Sequence, residues 1–131
     1  MTLIKLLCAL RDGRGLDYTR KGDTVHLLLQ AGSRKWSTVI TADEQGFLRY
    51  YARYPWLVQA EARGRVLEAL NSLNAGLRAG CFLLSEDYPV FRYGVYIFDA
   101  FTAAESVADL LVTATAKTAA TWDEIQKAVV G

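Results

Sequence analysis

The sequence predicts an α+β fold: an antiparallel β-sheet of about five strands with flanking helices, in the order α-β-β-β-α-β-β-α. Three observations carry this. Residues 24–30 and 47–54 alternate apolar and polar positions, and 36–41 are rich in β-branched side chains, with short turn-forming stretches between these runs. Residues 59–77 and 105–129 instead place apolar residues three and four apart, the period of an amphipathic helix. Strands linked by short turns, or by a helix that must cross one face, pack as an antiparallel sheet with helices against it.

The elements follow in order. Leu3, Ile4, Leu7 and Leu10 recur at helical spacing over residues 2–11, and Asp12-Gly13 with Gly15 stops them. Leu16-Asp17-Tyr18 begins a strand that turns at Lys21-Gly22-Asp23. Val25, Leu27 and Leu29 share one face of the next strand, and Ala31-Gly32-Ser33 joins it to Trp36–Thr41. After the turn at residues 43–46, Phe47, Arg49, Tyr51 and Arg53 face one way, and Leu48, Tyr50, Ala52 and Tyr54 the other. Pro55 ends that strand, since it has no N–H for a ladder bond.

The helix over 59–77 carries Ala62, Val66, Leu70, Leu73 and Leu77 on one side, and of the two possible left-handed stops, Gly76 and Gly80, Gly80 is expected because Leu77 continues the stripe. A second hairpin runs from Cys81–Ser85 to Val90–Phe98 around a turn at residues 86–89. In its second strand Phe91, Tyr93, Val95 and Ile97 alternate with Arg92, Gly94, Tyr96 and Phe98, so both faces carry aromatic mass. Thr102-Ala-Ala-Glu105 is a capping box. The stripe Val107, Leu111, Ala114, Thr118, Trp122, Ile125, Val129 predicts one long helix after it, although Thr121-Trp-Asp-Glu124 offers a second cap near residue 120.

With 131 residues the chain fits a single domain, 1–131. Fifteen Lys and Arg against fourteen Asp and Glu give a net charge of +1, which supplies no domain-wide field for a polyanion, so no nucleic-acid partner is expected. The apolar run Leu3–Leu10 is interrupted by Lys5 and is too short to span a bilayer. It has no charged leader or small-residue cleavage site, so the expectation is a cytoplasmic protein with no membrane partner. Cys8 and Cys81 have neither C-x-x-C nor metal-ligand spacing, and two buried reduced thiols are expected.

Candidate sites are few, and each has a plainer role beside the functional one. Asn71 and Asn74 lie one helical turn apart, where two amides could hold a ligand or peptide backbone, or tie the helix end to the next strand. His26 is the only histidine, which removes most metal sites and leaves one possible acid–base group, or a structural imidazole on the polar phase of a strand. Residues 49–56, RYYARYPW, mix cations with rings as single-strand binders do, but on a strand only alternate side chains share a face. A polar-aromatic sheet face for protein contact is the favoured reading. Glu105 with Asp109, and the turn acids Glu86 and Asp87, are explained as caps and solvated groups. Gly13-Arg-Gly15 lacks the setting of a nucleotide loop. No catalytic constellation, metal site or cofactor site emerges.

Leu70 to Phe98 reads LNSLNAGLRAGCFLLSEDYPVFRYGVYIF. With Trp36, Tyr54-Pro55, Asn71, Asn74, Gly80 and Phe82, this stretch resembles the YbjN family, bacterial proteins described as sensory-transduction regulators and assigned a type III secretion chaperone-like fold. The resemblance covers nearly the whole chain and departs at Leu57–Gly64, where Gly64 falls early in the helix. It implies the fold, with Trp36, Pro55, Asn71, Asn74, Gly80 and Phe82 as its signature, and it implies no catalytic residue. The resulting expectation is a non-catalytic protein-binding module, a chaperone-like or regulatory adaptor acting as a homodimer that holds a segment of a partner protein. Tyr51, Arg92, Tyr96 and Phe98 are its candidate partner-binding residues. The alternatives are a small-molecule sensor or small enzyme using His26 in a pocket, and a structural subunit of a larger assembly.

Overall fold

Four strands follow one another along the chain: β1 (Tyr18–Lys21), β2 (Thr24–Ala31), β3 (Arg34–Ala42) and β4 (Phe47–Arg53). Each pairs antiparallel with the next, as connections this short require. One turn of 3-10 helix at Ala60–Ala62 leads into α1 (Arg63–Ala75). The hairpin of β5 (Cys81–Ser85) and β6 (Tyr88–Tyr96) comes next, then α2 (Ala103–Ala120) and α3 (Trp122–Val130). The sheet order is β1-β2-β3-β4-β6-β5, so β6 lies beside β4 and β5 forms an edge. The computed structural model describes residues 18–43, 45–97 and 103–131. The expected opening helix, Cys8, Phe98 and the capping box at Thr102 lie outside them.

Alternation along each strand sorts the side chains into two layers. Val25, Leu27 and Leu29 of β2, Trp36 and Ile40 of β3, and Leu48, Tyr50 and Ala52 of β4 point toward the helices and are buried. Phe91 and Phe82 continue that face across β6 and β5. The helices return Val66 and Leu70 from α1, Val107, Leu110, Leu111 and Ala114 from α2, and Trp122 and Ile125 from α3. Burial of each large side chain contributes about 1.5–3 kcal/mol, so this layer supplies most of the driving force for folding.

Three expectations need correction. Gly76, not Gly80, ends α1, with φ −95° outside the left-handed region. The chain reaches left-handed geometry only at Gly80 (φ 81°), where a Cβ would stand 2.7 Å from the Arg92 carbonyl oxygen and 3.1 Å from the Phe91 ring. That glycine is set by the close approach of the loop to β6 rather than by the helix end. The second hairpin turns on Glu86 and Asp87 alone, both with positive φ (51° and 67°), as a tight two-residue hairpin turn requires. Tyr88 and Pro89 therefore belong to β6, with Pro89 opposite Leu84 next to the turn.

The long C-terminal helix is interrupted at Thr121. The second capping box does not form, because the Thr121 side chain makes no cap bond and its hydroxyl instead donates back to the Lys117 carbonyl at 2.8 Å. Thr118 does the same to Ala114 at 2.8 Å. Hydroxyls bonded to the carbonyl four residues back bend helices, and two of them sit at this break.

Both threonines also receive a tyrosine, Tyr50 from β4 and Tyr54 just past its end. The Trp36 Nε1–H donates to the Tyr50 hydroxyl at 3.0 Å, which lies 3.1 Å from Thr118 Oγ1. The Tyr54 hydroxyl lies 2.8 Å from Thr121 Oγ1. Since each threonine donates to its own helix, each tyrosine is the donor to its threonine, and every hydroxyl in the relay is satisfied. Trp56 and Trp122 meet at 4.7 Å between ring centres, and Tyr54 lies 5.7 Å from each.

Candidate functional site

The opposite face of the sheet is polar-aromatic and open. Its side chains come from the outward phase of each strand, and none of the six strands carries an Asp or Glu. Lys21, Lys35, Arg49, Arg53 and Arg92 all project from this face and are exposed. Among the described residues the carboxylates fall in turns, loops and helices instead.

Two of these cations are held on rings. The Arg49 guanidinium lies 4.8 Å from the centre of the Phe47 ring, and Arg53 lies 4.6 Å from that of Tyr88. Phe47 is fixed in turn between Tyr96, at 4.5 Å, and Gly94, where a Cβ would come within 2.6 Å of the ring. A residue larger than glycine at position 94 would displace Phe47 and with it the support under Arg49. Among the described residues the ion pairs are Arg34 with Asp123 and Arg63 with Asp87, so Arg49, Arg53 and Arg92 carry no neutralising carboxylate there.

Tyr51 occupies the middle of the face, half-buried, with Val39 and Arg92 as its register partners on either side. A hollow of about 460 Å³ lies toward one end, lined by His26, Val39, Tyr51, Arg53, Glu86 and Val90 among others. A second, of about 400 Å³, lies toward the other end and is lined by Phe47, Arg49, Cys81, Arg92 and Gly94, with Gly80 and Tyr93. Leu28 and Tyr96, 60% and 54% exposed, are the large apolar side chains this face leaves most open.

The candidate residues divide accordingly. Tyr51, Arg92 and Tyr96 come together on this one face, while Phe98 lies outside the described residues. His26 is exposed on the same face, and it lines a different hollow from Cys81, which is half-buried and free. Among the described residues no group of three or more His, Cys, Asp or Glu is placed to hold a metal ion. No helix among them is long and apolar enough to cross a membrane.

The two asparagines do not act as a pair. Asn74 Nδ2 donates to the Phe82 carbonyl at 2.9 Å, and the Phe82 N–H donates to Asn74 Oδ1 at 2.6 Å. One side-chain amide thus fills the place of a neighbouring strand on the free edge of β5. The Asn71 side chain is exposed and makes no hydrogen bond among the described residues. Pro55 is exposed just beyond β4, whereas Trp36 and Phe82 are buried in the helix-side core. The charge separation was missed at the level of whole-chain net charge. Counting acids and bases strand by strand would have found it.

A family model described as "Putative bacterial sensory transduction regulator" matches residues 4–127. The chain belongs to the YbjN family. Among solved structures it is similar to YbjN from E. coli, described there as "a putative transcription regulator", with 13% identity, a TM-score of 0.57, and coverage of 88% of this chain and 90% of that one. It is also similar to the Yersinia pestis type III secretion chaperone SycH, solved in complex with a stable fragment of YscM2. There the identity is 17%, the TM-score 0.53, and the coverage 91% of this chain and 98% of that one. At these identities the likeness establishes the fold, an α+β domain of the YbjN and secretion-chaperone type. No curated protein matches the chain.

Proposed function

We propose that this YbjN-family domain is a non-catalytic protein-binding module, a chaperone-like or regulatory adaptor that works as a homodimer and holds a segment of a partner protein against its open sheet face. The observation that carries the reading is that face itself, where Arg49 and Arg53 sit over the Phe47 and Tyr88 rings and Gly94 leaves room for Phe47. An exposed surface of aromatic and arginine side chains has the composition that protein interfaces favour. The solved likeness of a chaperone with a bound protein fragment supports the reading by analogy of fold. Exposed Leu67 on α1 and Val112 on α2 offer apolar surface on the helix layer to a second copy.

Affinity capture from lysate of the native host, with sedimentation of the purified protein, tests this. The expected result is a near-stoichiometric partner that Tyr96→Glu removes while the variant stays folded and dimeric. A monomeric wild-type protein would remove the homodimer, and an empty eluate would remove the adaptor.

A second reading, a small-ligand sensor, is favoured by the hollow that His26 shares with Arg53 and Glu86. Its test is a thermal-shift screen of metabolites against wild type and His26→Ala.

A further inference from the structure

We infer that the open sheet face selects an acidic, extended segment, in which two carboxylate side chains four residues apart flank an apolar or aromatic residue. This rests on the protein-binding reading above and names the chemistry of the partner.

The spacing comes from β4. Arg49 and Arg53 lie on the same side of one strand with Tyr51 between them, so their Cα atoms stand roughly 13 Å apart at the rise of a β-strand. An extended chain laid along β4 presents its own side chains at the same pitch. Its first carboxylate then meets Arg49, its central side chain meets Tyr51, and its second carboxylate meets Arg53. Arg92, opposite Tyr51, adds a third cation to the middle of the track.

The guanidiniums are prepared for planar anions. Arg49 and Arg53 each sit over a ring, Phe47 and Tyr88, which supports the guanidinium from one side and leaves N–H groups to donate outward. A carboxylate can accept two of those N–H groups side by side. Ring stacking also lowers the side-chain freedom that an arginine must otherwise give up on binding. The two hollows on either side of Tyr51 leave room for the segment's side chains.

The same charge pattern argues for a short acidic segment over a nucleic acid. Lys21, Lys35, Arg49, Arg53 and Arg92 give this face a small local excess of cations in a chain whose net charge is only +1, while Glu86 rims one hollow and the other carboxylates among the described residues occupy turns, loops and helices. A phosphate chain running past the face would meet those carboxylates, whereas a peptide with a few acidic residues ends where the cations end.

The test is fluorescence anisotropy with the full chain and three labelled probes. One is a peptide repeating Glu-Ser-Leu-Ser, the second is the same peptide with Gln for Glu, and the third is a short oligothymidylate. The expected result is saturable, salt-sensitive binding of the Glu peptide alone. The combined variant Arg49→Gln, Arg53→Gln, Arg92→Gln should weaken it about tenfold or more, as the loss of several exposed charge pairs predicts. The charge-matched control Arg63→Gln, Lys117→Gln, Lys127→Gln should not. Equal binding of the Gln peptide, or equal loss in the control, overturns the inference. Tighter, Arg49-dependent binding of oligothymidylate overturns it in favour of nucleic acid. If the sheet variant still captures the wild-type partner from lysate, the acidic-segment assignment falls and the adaptor reading stands. If the wild type captures nothing, both fall.

Discussion

Tyr50 and Tyr54 take their hydroxyls into a core where neither ring is exposed, and both depend on a threonine of the helix break. Burial pushes both phenols above their ordinary value, against a smaller opposing effect of the hydrogen bonds to Thr118 and Thr121. A phenol raised in the folded state holds its proton more tightly there than in the unfolded chain. This contribution to stability is full below the unfolded value, about 10, and is lost as pH rises above it toward the folded value. Tyr54→Phe is therefore expected to cost about 1 kcal/mol at neutral pH, for one hydrogen bond. It should also reduce the alkaline loss of stability, as read by urea unfolding at neutral and strongly alkaline pH. An unchanged alkaline slope would contradict this. The apolar phase of β4 was legible in the alternation Leu48, Tyr50, Ala52, Tyr54. Its pairing with Thr118 and Thr121 was not, because those threonines lie 68 and 67 residues away and read locally as stripe and cap.

At the scale of elements, the free edge of β5 is the vulnerable one. Asn74 satisfies both main-chain groups of Phe82 on that edge, where an unpaired strand would otherwise offer itself to another chain. Asn74→Ala should destabilise the fold by about 1–3 kcal/mol, because it leaves a partly buried N–H and C=O without partners. It should also increase self-association, which Asn74→Asp would restore only in part, since a carboxylate can accept from the N–H but cannot donate to the carbonyl. Light scattering with urea unfolding measures both effects, and a variant as stable and as dispersed as wild type would contradict them. The sequence pattern found the strands and α1, since each follows from local periodicity. It placed the end of α1 at Gly80 and merged α2 with α3, because Gly80 is fixed by the backbone of β6, and Thr118 and Thr121 at the helix break meet Tyr50 and Tyr54. Both are contacts between segments distant in sequence.

For the whole molecule, the sheet divides two surfaces of different character. The helix side holds the buried aromatic core, with the Tyr50 and Tyr54 hydroxyls bonded to Thr118 and Thr121. The other side carries Arg49, Tyr51, Arg53, Arg92 and Tyr96 outward, with Gly94 and Phe47 holding part of that lattice in place. The membership of the chain in the YbjN family was legible from the segment around Asn74, Gly80 and Phe82, since its loop must pass close to β6. The acid-free strands were equally present in the sequence, but whole-chain charge averages them against the helices and turns. The central claim is that this face is where a partner protein binds. Photo-crosslinking in the native host tests it most directly, with a photoreactive amino acid in place of Tyr51 in one variant and of the exposed Glu61, outside the sheet, in another. The account predicts a discrete protein adduct from position 51 and none of the same mass from position 61. Adducts from position 61 with none from 51 would contradict it.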